Sequence, residues 1–367
     1  MTSPPIVPFG SPAPREDAAD IAAAIDRVVR SGWYILGPEV RAFEEEFAQA
    51  CGSAHAIGVG NGTDAITLVL KALGIGPGDE VITTPLSAAF TALAVLMAGA
   101  RPVFADIDPQ RHTLHADAVR AAITPRTRAI LPVHLYGQAA DMDALMTVAT
   151  SHGLAVIEDC AQAHLCTVGG RPVGTVGVAG TFSFYPTKNL GALGDGGAVV
   201  TQDAALADRI RRLRNGGQST RYHHPDAGLN SRLDELQAAI LRARLPRLPE
   251  WTRRRQSLAA RYRVALADVS VSVPPASDPG HVFHLFVVRS RRRDALQAHL
   301  AQAGVETLVH YPIPISRQEA LMASHPAVCP EADRACGELL SLPMHPALSE
   351  EAVGIVAGAV ASFSEEL

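Results

Sequence analysis

The chain is organised around one stretch, TFSFYPTKNLGALGDGG, which runs from Thr181 to Gly197. It combines a strand-like start, a turn at Tyr185-Pro186 and a glycine-rich return, and Lys188 stands between the turn and the glycines. A lysine that is to form a Schiff base must be held rigidly and must be neutral in part of its population. A lone lysine in a loop is more often a solvated surface residue, so a chemical role for Lys188 depends on two further stretches.

Strands and helices alternate on both sides of this stretch. Short apolar runs predict strands at residues 54–60, 79–84, 101–107, 127–135, 154–159, 180–184, 197–201 and 281–290. Periodic apolar positions predict helices at residues 17–30, 39–51, 61–74, 88–99, 116–122, 140–152, 204–214, 232–244, 251–266 and 292–304. This alternation predicts a three-layer α/β/α domain around a mainly parallel sheet at residues 1–248. The smaller elements that follow predict a C-terminal α+β domain at residues 249–367.

The composition is that of an ordinary globular protein. The 367 residues are 47% hydrophobic and 19% charged, which suits about two domains. The net charge of −5 gives no reason to expect nucleic acid or an anionic membrane surface as a partner. No apolar run reaches the ~18 residues of a membrane-spanning helix, and the first residues lack the pattern of a signal peptide. The five cysteines form no C-x-x-C pair, which indicates reduced thiols in a cytoplasmic protein.

Asn61-Gly62-Thr63-Asp64 lies at the junction between a predicted strand and a predicted helix. Backbone N–H groups at a helix N-terminus attract anions, and the hydroxyl of Thr63 adds a further donor. The same four residues also make a good helix cap. The stretch therefore indicates either a phosphate site or a cap that serves the helix alone.

A second motif, LAVIEDCAQAH, runs from Leu154 to His164 and places Glu158 and Asp159 at the carboxyl end of a buried strand. A buried ionised carboxylate needs a cationic partner. The protonated ring nitrogen of a pyridine cofactor would be such a partner, and the pairing would keep the ring an electron sink. The alternative is that Asp159 caps the turn that follows the strand.

The three candidate groups follow one another along the chain in the order phosphate site, carboxylate and lysine, and each lies in a loop after a strand. Ser183 adds a further donor for a phosphate just before Lys188. Together they describe pyridoxal 5′-phosphate better than a dinucleotide, because neither G-x-G-x-x-G nor G-x-x-x-x-G-K-[ST] occurs in the sequence. Asp106, Asp108 and His112 lack the spacing of a metal site, and we interpret them as parts of a solvated loop.

At these residues the sequence resembles the DegT/DnrJ/EryC1/StrS family of sugar aminotransferases, which are fold type I enzymes that use pyridoxal 5′-phosphate. The resemblance covers nearly the whole chain. It rests on motifs that occur in the family's order: GWYILGPEVRAFEEEFA, GNGTDA, PVHLYGQAADMDAL, IEDCAQAH, FSFYPTKNLGALGDGGAVVT, GLNSRLDELQAAIL and HYPIP. Relatives that carry out dehydration have histidine at the position of Lys188, so the resemblance implies a transaminase.

The resemblance also implies roles for individual residues. Lys188 would be the Schiff-base lysine, Asp159 would pair with the ring nitrogen, and Gln162 would lie beside the ring or its hydroxyl. The phosphate would be held by Gly62, Thr63 and Ser183, and by Asn230 of the partner subunit in a homodimer with shared active sites. The sugar site would be lined by Tyr185, His310 and Tyr311, with Trp33 and Tyr34 approaching from the neighbouring chain.

The chain departs from the family's pattern at three places. Leu165-Cys166 stand where the family usually has Gly-Ala after the A-Q-A-H run. The helix that usually supplies an aromatic residue to stack on the cofactor ring reads PLSAAFTALA, so Ala88, Ala89 or Phe90 would take that position. HYPIP is followed by Ser316-Arg317, where a histidine is frequent. This last departure concerns the recognition of the sugar rather than the reaction.

The NLGALGDGG form of the lysine turn resembles the 3-amino-sugar branch of the family. It implies L-glutamate as the amino donor and a nucleotide-linked 3-keto-hexose, dTDP-linked and 6-deoxy, as the acceptor. UDP-linked 3-keto sugars, 4-keto sugars and keto-cyclitols are alternatives, as are another reaction such as decarboxylation and a non-catalytic regulatory or binding protein. Cationic contacts to a diphosphate would come from Arg221, Arg232 or Arg317, unless these are ordinary surface arginines.

Overall fold

The computed structural model describes residues 7–10, 12, 13, 15–273, 275, 278–322 and 327–364. Its helices are α1 (Ala18–Ser31), α2 (Pro38–Cys51), α3 (Gly62–Ala72), α4 (Phe90–Met97), α5 (Ala116–Ala122), α6 (Met142–His152), α7 (Ala204–Leu213), α8 (Glu235–Arg244), α9 (Leu248–Ala265), α10 (Arg293–Gln302), α11 (Pro330–Glu338) and α12 (Glu350–Ala361). Its strands are β1 (His55–Val59), β2 (Glu80–Thr83), β3 (Arg101–Phe104), β4 (Thr127–Leu131), β5 (Ala155–Asp159), β6 (Thr167–Val168), β7 (Arg171–Pro172), β8 (Ala179–Ser183), β9 (Gly197–Thr201), β10 (Phe286–Arg289) and β11 (Leu339–Leu342). No helix in the described part of the chain has the length and apolar character needed to cross a membrane.

Seven of these strands form one sheet in the order β1-β9-β8-β5-β4-β2-β3. The neighbours from β8 to β3 pair in parallel, whereas β9 is antiparallel to both of its neighbours, β1 and β8. All strands of this sheet except β9 therefore run in one direction. The mainly parallel sheet predicted from the alternation of strands and helices is confirmed.

Alternate residues of the strands pack on opposite faces of this sheet. On β4, Ile130 belongs to one apolar cluster, whereas Ala129 and Leu131 belong to another. The first cluster holds side chains of α2, α5, α6 and α8, and the second holds side chains of α3, α4 and α7. The sheet is thus the middle layer of three, because each of its faces buries an apolar set against helices.

A further core lies in the C-terminal part, where β10 and β11 pair antiparallel. Helices α9, α10 and α12 pack in this core, and Val7 joins it through a backbone bridge with Val305. Another apolar cluster connects the C-terminal part to the large sheet, with Val133 on one side and Leu285 on the other. Tyr311, one of the predicted sugar-site residues, packs against this cluster, so that site lies where the two parts meet.

One predicted strand is much shorter in the structure than in the sequence pattern. The apolar run at residues 281–290 predicts a strand throughout, but the strand begins only at β10. The N–H of Val282 donates to the carbonyl of Gly137 at 2.9 Å, and the Val282 carbonyl accepts from the side-chain amide of Asn189 at 3.1 Å. The first half of the run therefore ties the C-terminal part to the lysine turn rather than extending a sheet.

Candidate active site

The predicted cofactor residues converge at the carboxyl ends of β5 and β8. β5 ends in Asp159, and its parallel neighbour β8 ends in Ser183. Gly62 is the first residue of α3, and a Cβ added to it would lie only 2.8 Å from the Cβ of Ser183. Ligands in this architecture bind at the carboxyl edge of the parallel strands. The three stretches singled out in the sequence therefore share the edge of the sheet at which a ligand is expected.

Lys188 lies in a turn that leaves little freedom to the backbone. Its N–H donates to the carbonyl of Tyr185 at 2.8 Å. Gly191 allows the return of the chain, because a Cβ at that position would lie 2.5 Å from the carbonyl oxygen of Pro186. The glycine-rich sequence after the lysine is thus required by a close backbone approach, and the turn holds Lys188 in place.

The amine of Lys188 is poorly solvated. Burial lowers the pKa of Lys188 to about 8, and the nearby carboxylate of Asp159 opposes that change. An unperturbed lysine has a pKa of about 10.4, so the site makes the neutral amine accessible in weakly alkaline solution. A fixed position and a neutral fraction are the two conditions for a reactive lysine, and Lys188 meets both.

Asp159 is buried, with 5% of its surface exposed. Its Oδ2 accepts a hydrogen bond from the hydroxyl of Thr91 at 2.8 Å, and its Oδ1 accepts one from the N–H of Ala161 at 3.1 Å. Burial raises the pKa of the Asp159 carboxyl, and the two hydrogen bonds and the charge of Lys188 act in the opposite direction. The contact with Ala161 shows that Asp159 caps the turn after β5. Because a carboxylate has about four acceptor positions, Asp159 can still receive a cationic partner.

The N-terminus of α3 combines a cap with two N–H groups that the cap does not use. The side chain of Asn61 accepts from the N–H of Asp64 at 2.8 Å, and its carbonyl accepts from the N–H of Ala65 at 3.1 Å. The N–H groups of Gly62 and Thr63 have no acceptor within the helix, because the first turn of an α-helix provides none. An anion can take that place. The cap and the phosphate site, which the sequence left as alternatives, are therefore compatible.

Gln162 connects the cofactor side of the site to the predicted sugar side. Its Oε1 accepts from the N–H of Tyr136 at 2.6 Å, and its Nε2 donates to the hydroxyl of Tyr311 at 3.2 Å. The hydroxyl of Tyr136 donates to the carbonyl of His310. Burial raises the pKa of Tyr311 to about 12 and lowers the pKa of His310 to about 4, so both side chains are neutral at pH 7.

A second carboxylate next to the site is fully used by the fold. Glu158 accepts three backbone N–H groups from residues 174–177 at 2.8 to 2.9 Å and contacts Nε2 of His134 at 3.0 Å. Because the N–H of Ala140 donates to Nδ1 of His134, the imidazole proton lies on Nε2 and faces Glu158. Cys160 completes a cluster with the spacing of metal ligands. The carboxylate and imidazole already satisfy each other, so we assign this cluster to the support of β5.

Four predicted site residues lie on the surface of the chain. The exposed fraction is 52% for Trp33, 48% for Tyr34 and 53% for Tyr185, and Asn230 is also exposed. The turn that carries the first two is rigid, because the buried carboxylate of Glu235 accepts three backbone N–H groups at its end, at 2.7 to 2.9 Å. Exposed aromatic side chains on a rigid turn are available to a second molecule.

An open cavity of about 410 Å³ borders Lys188 and His310. Its walls come from the lysine turn, the N-terminal segment and the C-terminal part, and they include the side chains of Arg15, Arg255 and His345. The volume falls in the range of small-molecule sites. Each arginine considered for a diphosphate has a partner within the chain: Arg221 with the ring of Tyr222, Arg232 with Asn215, and Arg317 with Asp333.

The helix after β2 contains the residue that the sequence analysis missed. Phe90, one of the candidates for stacking on the ring, is 64% exposed. Its neighbour Thr91 is buried and contacts Asp159. The signal was a single hydroxyl in the otherwise apolar run AAFTALA, which is weak because a helical threonine often bonds only its own backbone.

The interpretation of the Asp106 segment as a solvated loop is wrong. His112 is buried, with 2% of its surface exposed. The carboxylate of Asp106 accepts the N–H groups of Glu331 and Ala332 at 3.0 Å and so caps the start of α11. The sequence does not reveal the capping role of Asp106, because its partners at Glu331 and Ala332 lie more than two hundred residues away.

Known proteins resemble the chain over nearly its whole length. The model of the DegT/DnrJ/EryC1/StrS aminotransferase family matches residues 15–361. The chain is 52% identical over 338 residues to the erythromycin biosynthesis sensory transduction protein EryC1 of Saccharopolyspora erythraea, with 91% of this chain and 92% of that protein covered. It is 48% identical over 371 residues to the dTDP-3-amino-3,4,6-trideoxy-alpha-D-glucose transaminase of Streptomyces venezuelae, with 99% and 97% covered. The crystal structure of S. venezuelae DesV in complex with a ketimine intermediate matches with a TM-score of 0.96 at 47% identity, covering 100% of both chains.

The residues at the edge of the sheet fit the cofactor that such aminotransferases use. The unused N–H groups of Gly62 and Thr63 suit a phosphate, the open acceptor positions of Asp159 suit a protonated ring nitrogen, and Lys188 suits an aldehyde. The family model covers residues 15–361, which is nearly the whole chain. The chain therefore belongs to the DegT/DnrJ/EryC1/StrS aminotransferase family.

Proposed function

We propose that the chain uses pyridoxal 5′-phosphate to move an amino group from L-glutamate to a nucleotide-linked 3-keto-sugar, with a dTDP-linked 3-keto-6-deoxyhexose as the favoured acceptor. One observation carries the proposal. Lys188, whose pKa burial lowers to about 8, lies near the buried carboxylate of Asp159 at the edge of the sheet. Two ionisable groups kept out of water in one cleft are typical of an active site.

The cofactor would be held at three points. The N–H groups of Gly62 and Thr63 and the hydroxyl of Ser183 would bind its phosphate, Asp159 would bind its ring nitrogen, and Lys188 would bind its aldehyde carbon. Bound in this way, pyridoxal phosphate supplies an electron sink for the charge that develops when a proton leaves the carbon next to the amine. The carboxylate of Asp159 would keep the ring nitrogen protonated, because the pair of opposite charges is favoured in a site with little water.

Lys188 would have a second role, as a base. Its Nζ would take the proton from Cα of the amino donor and return it to the carbon on the cofactor side of the same nitrogen. A base is most effective when its pKa lies near the working pH, and burial brings the pKa of Lys188 to about 8. The same burial thus serves both covalent attachment and proton transfer.

The sugar side of the site would be formed by neutral polar groups. The N–H of Tyr136 holds Oε1 of Gln162, so that Nε2 of Gln162 faces the hydroxyl of Tyr311. His310 is neutral because burial lowers its pKa to about 4. Together with Tyr185, Tyr311 and His310 would donate to and accept from sugar hydroxyls without adding charge. These hydrogen bonds would then hold the sugar with its keto carbon beside Lys188.

The choice of acceptor rests on similarity. The S. venezuelae transaminase at 48% identity is named for a dTDP-linked 3-amino sugar, which supports amination at C3. UDP-linked 3-keto sugars, 4-keto sugars and keto-cyclitols are the alternatives. The EryC1 relative is named as a sensory transduction protein, which corresponds to the regulatory alternative. The complete set of Lys188, Asp159 and Ser183 favours catalysis.

The reaction is best tested in the reverse direction, because nucleotide-linked amino sugars can be compared side by side. With 2-oxoglutarate, the purified protein is expected to form L-glutamate from a dTDP-3-amino-6-deoxyhexose, with a higher kcat/KM than from the 4-amino isomer or from a UDP-linked 3-amino sugar. Glutamate formation only from the 4-amino isomer would move the amination to C4. No glutamate from any of them, with cofactor bound, would overturn the proposed nucleotide-linked amino-sugar substrate.

We infer further that two copies of the chain form a homodimer with shared active sites. Asn230 is exposed, and its backbone forms an antiparallel bridge with Asn215. In the dimer, Asn230 of the partner subunit would donate to the phosphate, and the exposed Trp33 and Tyr34 would reach the neighbouring sugar site. Burial of these aromatic side chains in an interface would also remove apolar surface from water.

A mixture of two inactive variants tests the shared site. Lys188→Ala removes the reactive amine, and Asn230→Asp places a negative charge against the phosphate, so each variant alone is expected to be nearly inactive. Coexpression should restore about a quarter of wild-type activity, because half of the dimers then carry one intact site. A matched mixture of Lys188→Ala with Lys188→Arg should restore nothing. Failure of the first mixture, with both variants dimeric, would contradict the assignment of Asn230.

We also propose a cytoplasmic location. All five cysteines are buried and unpaired. Burial raises the pKa of Cys51 and of Cys166 to about 12, so these thiols stay protonated and unreactive. Free thiols of this kind support a reducing compartment.

A further inference from the structure

We propose that Thr91 is a positioning residue for the cofactor, because its hydroxyl holds the Asp159 carboxylate in the orientation that receives a protonated ring nitrogen. The inference rests on the cofactor proposed above. Thr91 would act through Asp159 and would not touch the reacting atoms.

The contact is short and shielded from water. Thr91 is the second residue of α4 and is 2% exposed, and its Oγ1 lies 2.8 Å from Oδ2 of Asp159. The N–H of Ala161 holds the other carboxylate oxygen at 3.1 Å. A carboxylate that is fixed at both oxygens cannot rotate, so its remaining acceptor positions point in set directions. Cofactor position would therefore depend on α4 as well as on β5.

The direction of the hydrogen bonds follows from the chemistry of the groups. An ionised carboxylate only accepts, so the single hydroxyl hydrogen of Thr91 is committed to Asp159. The hydroxyl of Ser87 lies 3.4 Å from Oγ1 of Thr91 and must then be the donor in that contact. Ser87 is buried, with 5% of its surface exposed. The chain of hydroxyls from Ser87 through Thr91 thus directs positive ends of dipoles at the carboxylate.

The hydroxyl also favours the charged form of Asp159. Burial raises the pKa of Asp159, and the hydrogen bond from Thr91 is the largest of the effects that lower it. Without this donor, the buried carboxyl would favour its neutral form more strongly. A neutral carboxyl gives no ionic stabilisation to a cationic ring nitrogen, so the loss of one hydroxyl would weaken the pairing at the opposite side of the carboxylate.

The test compares two ligands on the apoprotein by titration calorimetry: pyridoxamine 5′-phosphate, and its analogue with carbon in place of the ring nitrogen. Neither needs a covalent bond to Lys188. Thr91→Val has nearly the same shape and lacks the hydroxyl. It is expected to weaken binding of the natural form by about tenfold or more, since hydrogen bonds to charged groups are the strong ones. The analogue should bind as well as before, and Thr91→Ser, which keeps the hydroxyl, should restore the preference for the natural form.

Thr83→Val is the matched control. Thr83 is a fully buried threonine of β2 whose hydroxyl donates to the carbonyl of Leu131 at 2.8 Å, away from Asp159. The Thr83→Val variant should leave the preference between the two ligands unchanged. Equal weakening of both ligands by Thr91→Val would show a purely structural role and would overturn the inference, and so would an unchanged preference. If the wild-type protein bound neither ligand, the cofactor proposal itself would be overturned. An effect that is seen only in the variant would leave the cofactor proposal intact.

Discussion

Replacing Lys188 with alanine is expected to lower kcat by about 10⁴-fold or more, because in the proposed reaction one side chain would supply both the amine that binds the cofactor aldehyde and the base that moves the proton. Burial brings the pKa of Lys188 to about 8, and a base is most effective when its pKa lies near the working pH. The variant should still take up pyridoxal phosphate through the contacts of Gly62, Thr63 and Ser183. Steady-state formation of glutamate, and release of the cofactor under denaturing conditions, measure the two effects separately.

The sequence offers a matched control, because Lys71 and Lys188 are the only two lysines among the 367 residues. Lys71 lies in the last turn of α3, where a cation is favourable but takes no part in the site. Lys71→Ala should therefore leave kcat unchanged. Borohydride reduction of the loaded protein, followed by mass spectrometry of its peptides, should find the cofactor mass on Lys188 alone. Labelling of Lys71 instead, or wild-type turnover in Lys188→Ala, would refute the assignment.

Local sequence patterns were enough to predict the sheet and the edge at which the site forms. The strands that carry the site are short apolar runs, and the polar residues that follow them, Asp159 and Ser183, mark their carboxyl ends. A parallel sheet brings such ends together whatever the distance between them in the sequence. The glycines after the lysine were a second reliable local signal, because the backbone at Gly191 approaches Pro186 too closely for a side chain.

Contacts between distant segments were beyond the reach of those patterns. Thr91 and Asp159 are 68 residues apart, and nothing in the sequence around either residue indicates that the two are in contact. Val282 lies in an apolar run that suits a strand, yet it bonds to Gly137 and Asn189. In each case the partner depends on how two elements pack against each other. Such packing leaves no periodic pattern in the sequence of either segment alone. The two-lysine count, by contrast, was available from composition and would have strengthened the case for Lys188.

Replacing Asp159 with asparagine is expected to lower kcat by about a hundredfold to several thousandfold, because removing one member of a buried ion pair costs roughly 3–5 kcal/mol. The amide keeps the size of the carboxylate, and its single oxygen can still accept from Thr91 or from the N–H of Ala161, but not from both. It carries no negative charge, so a protonated ring nitrogen loses its partner in a site where burial already disfavours charge. The effect should fall on kcat more than on the KM for glutamate, because the ring charge matters most while the proton is in transfer.

Asp203→Asn makes the same chemical change where the charge is not needed. Asp203 caps α7 by accepting the N–H groups of Ala205 and Leu206, and asparagine is an equally good cap, so kcat should stay at the wild-type value. Asp159→Glu keeps the charge but moves it outward by one methylene, and we expect a kcat between those of the wild type and Asp159→Asn. If Asp159→Asn turned over as fast as the wild type while holding its cofactor, the carboxylate would serve only as the cap of the turn at Ala161, and the ring nitrogen would have to find its partner elsewhere.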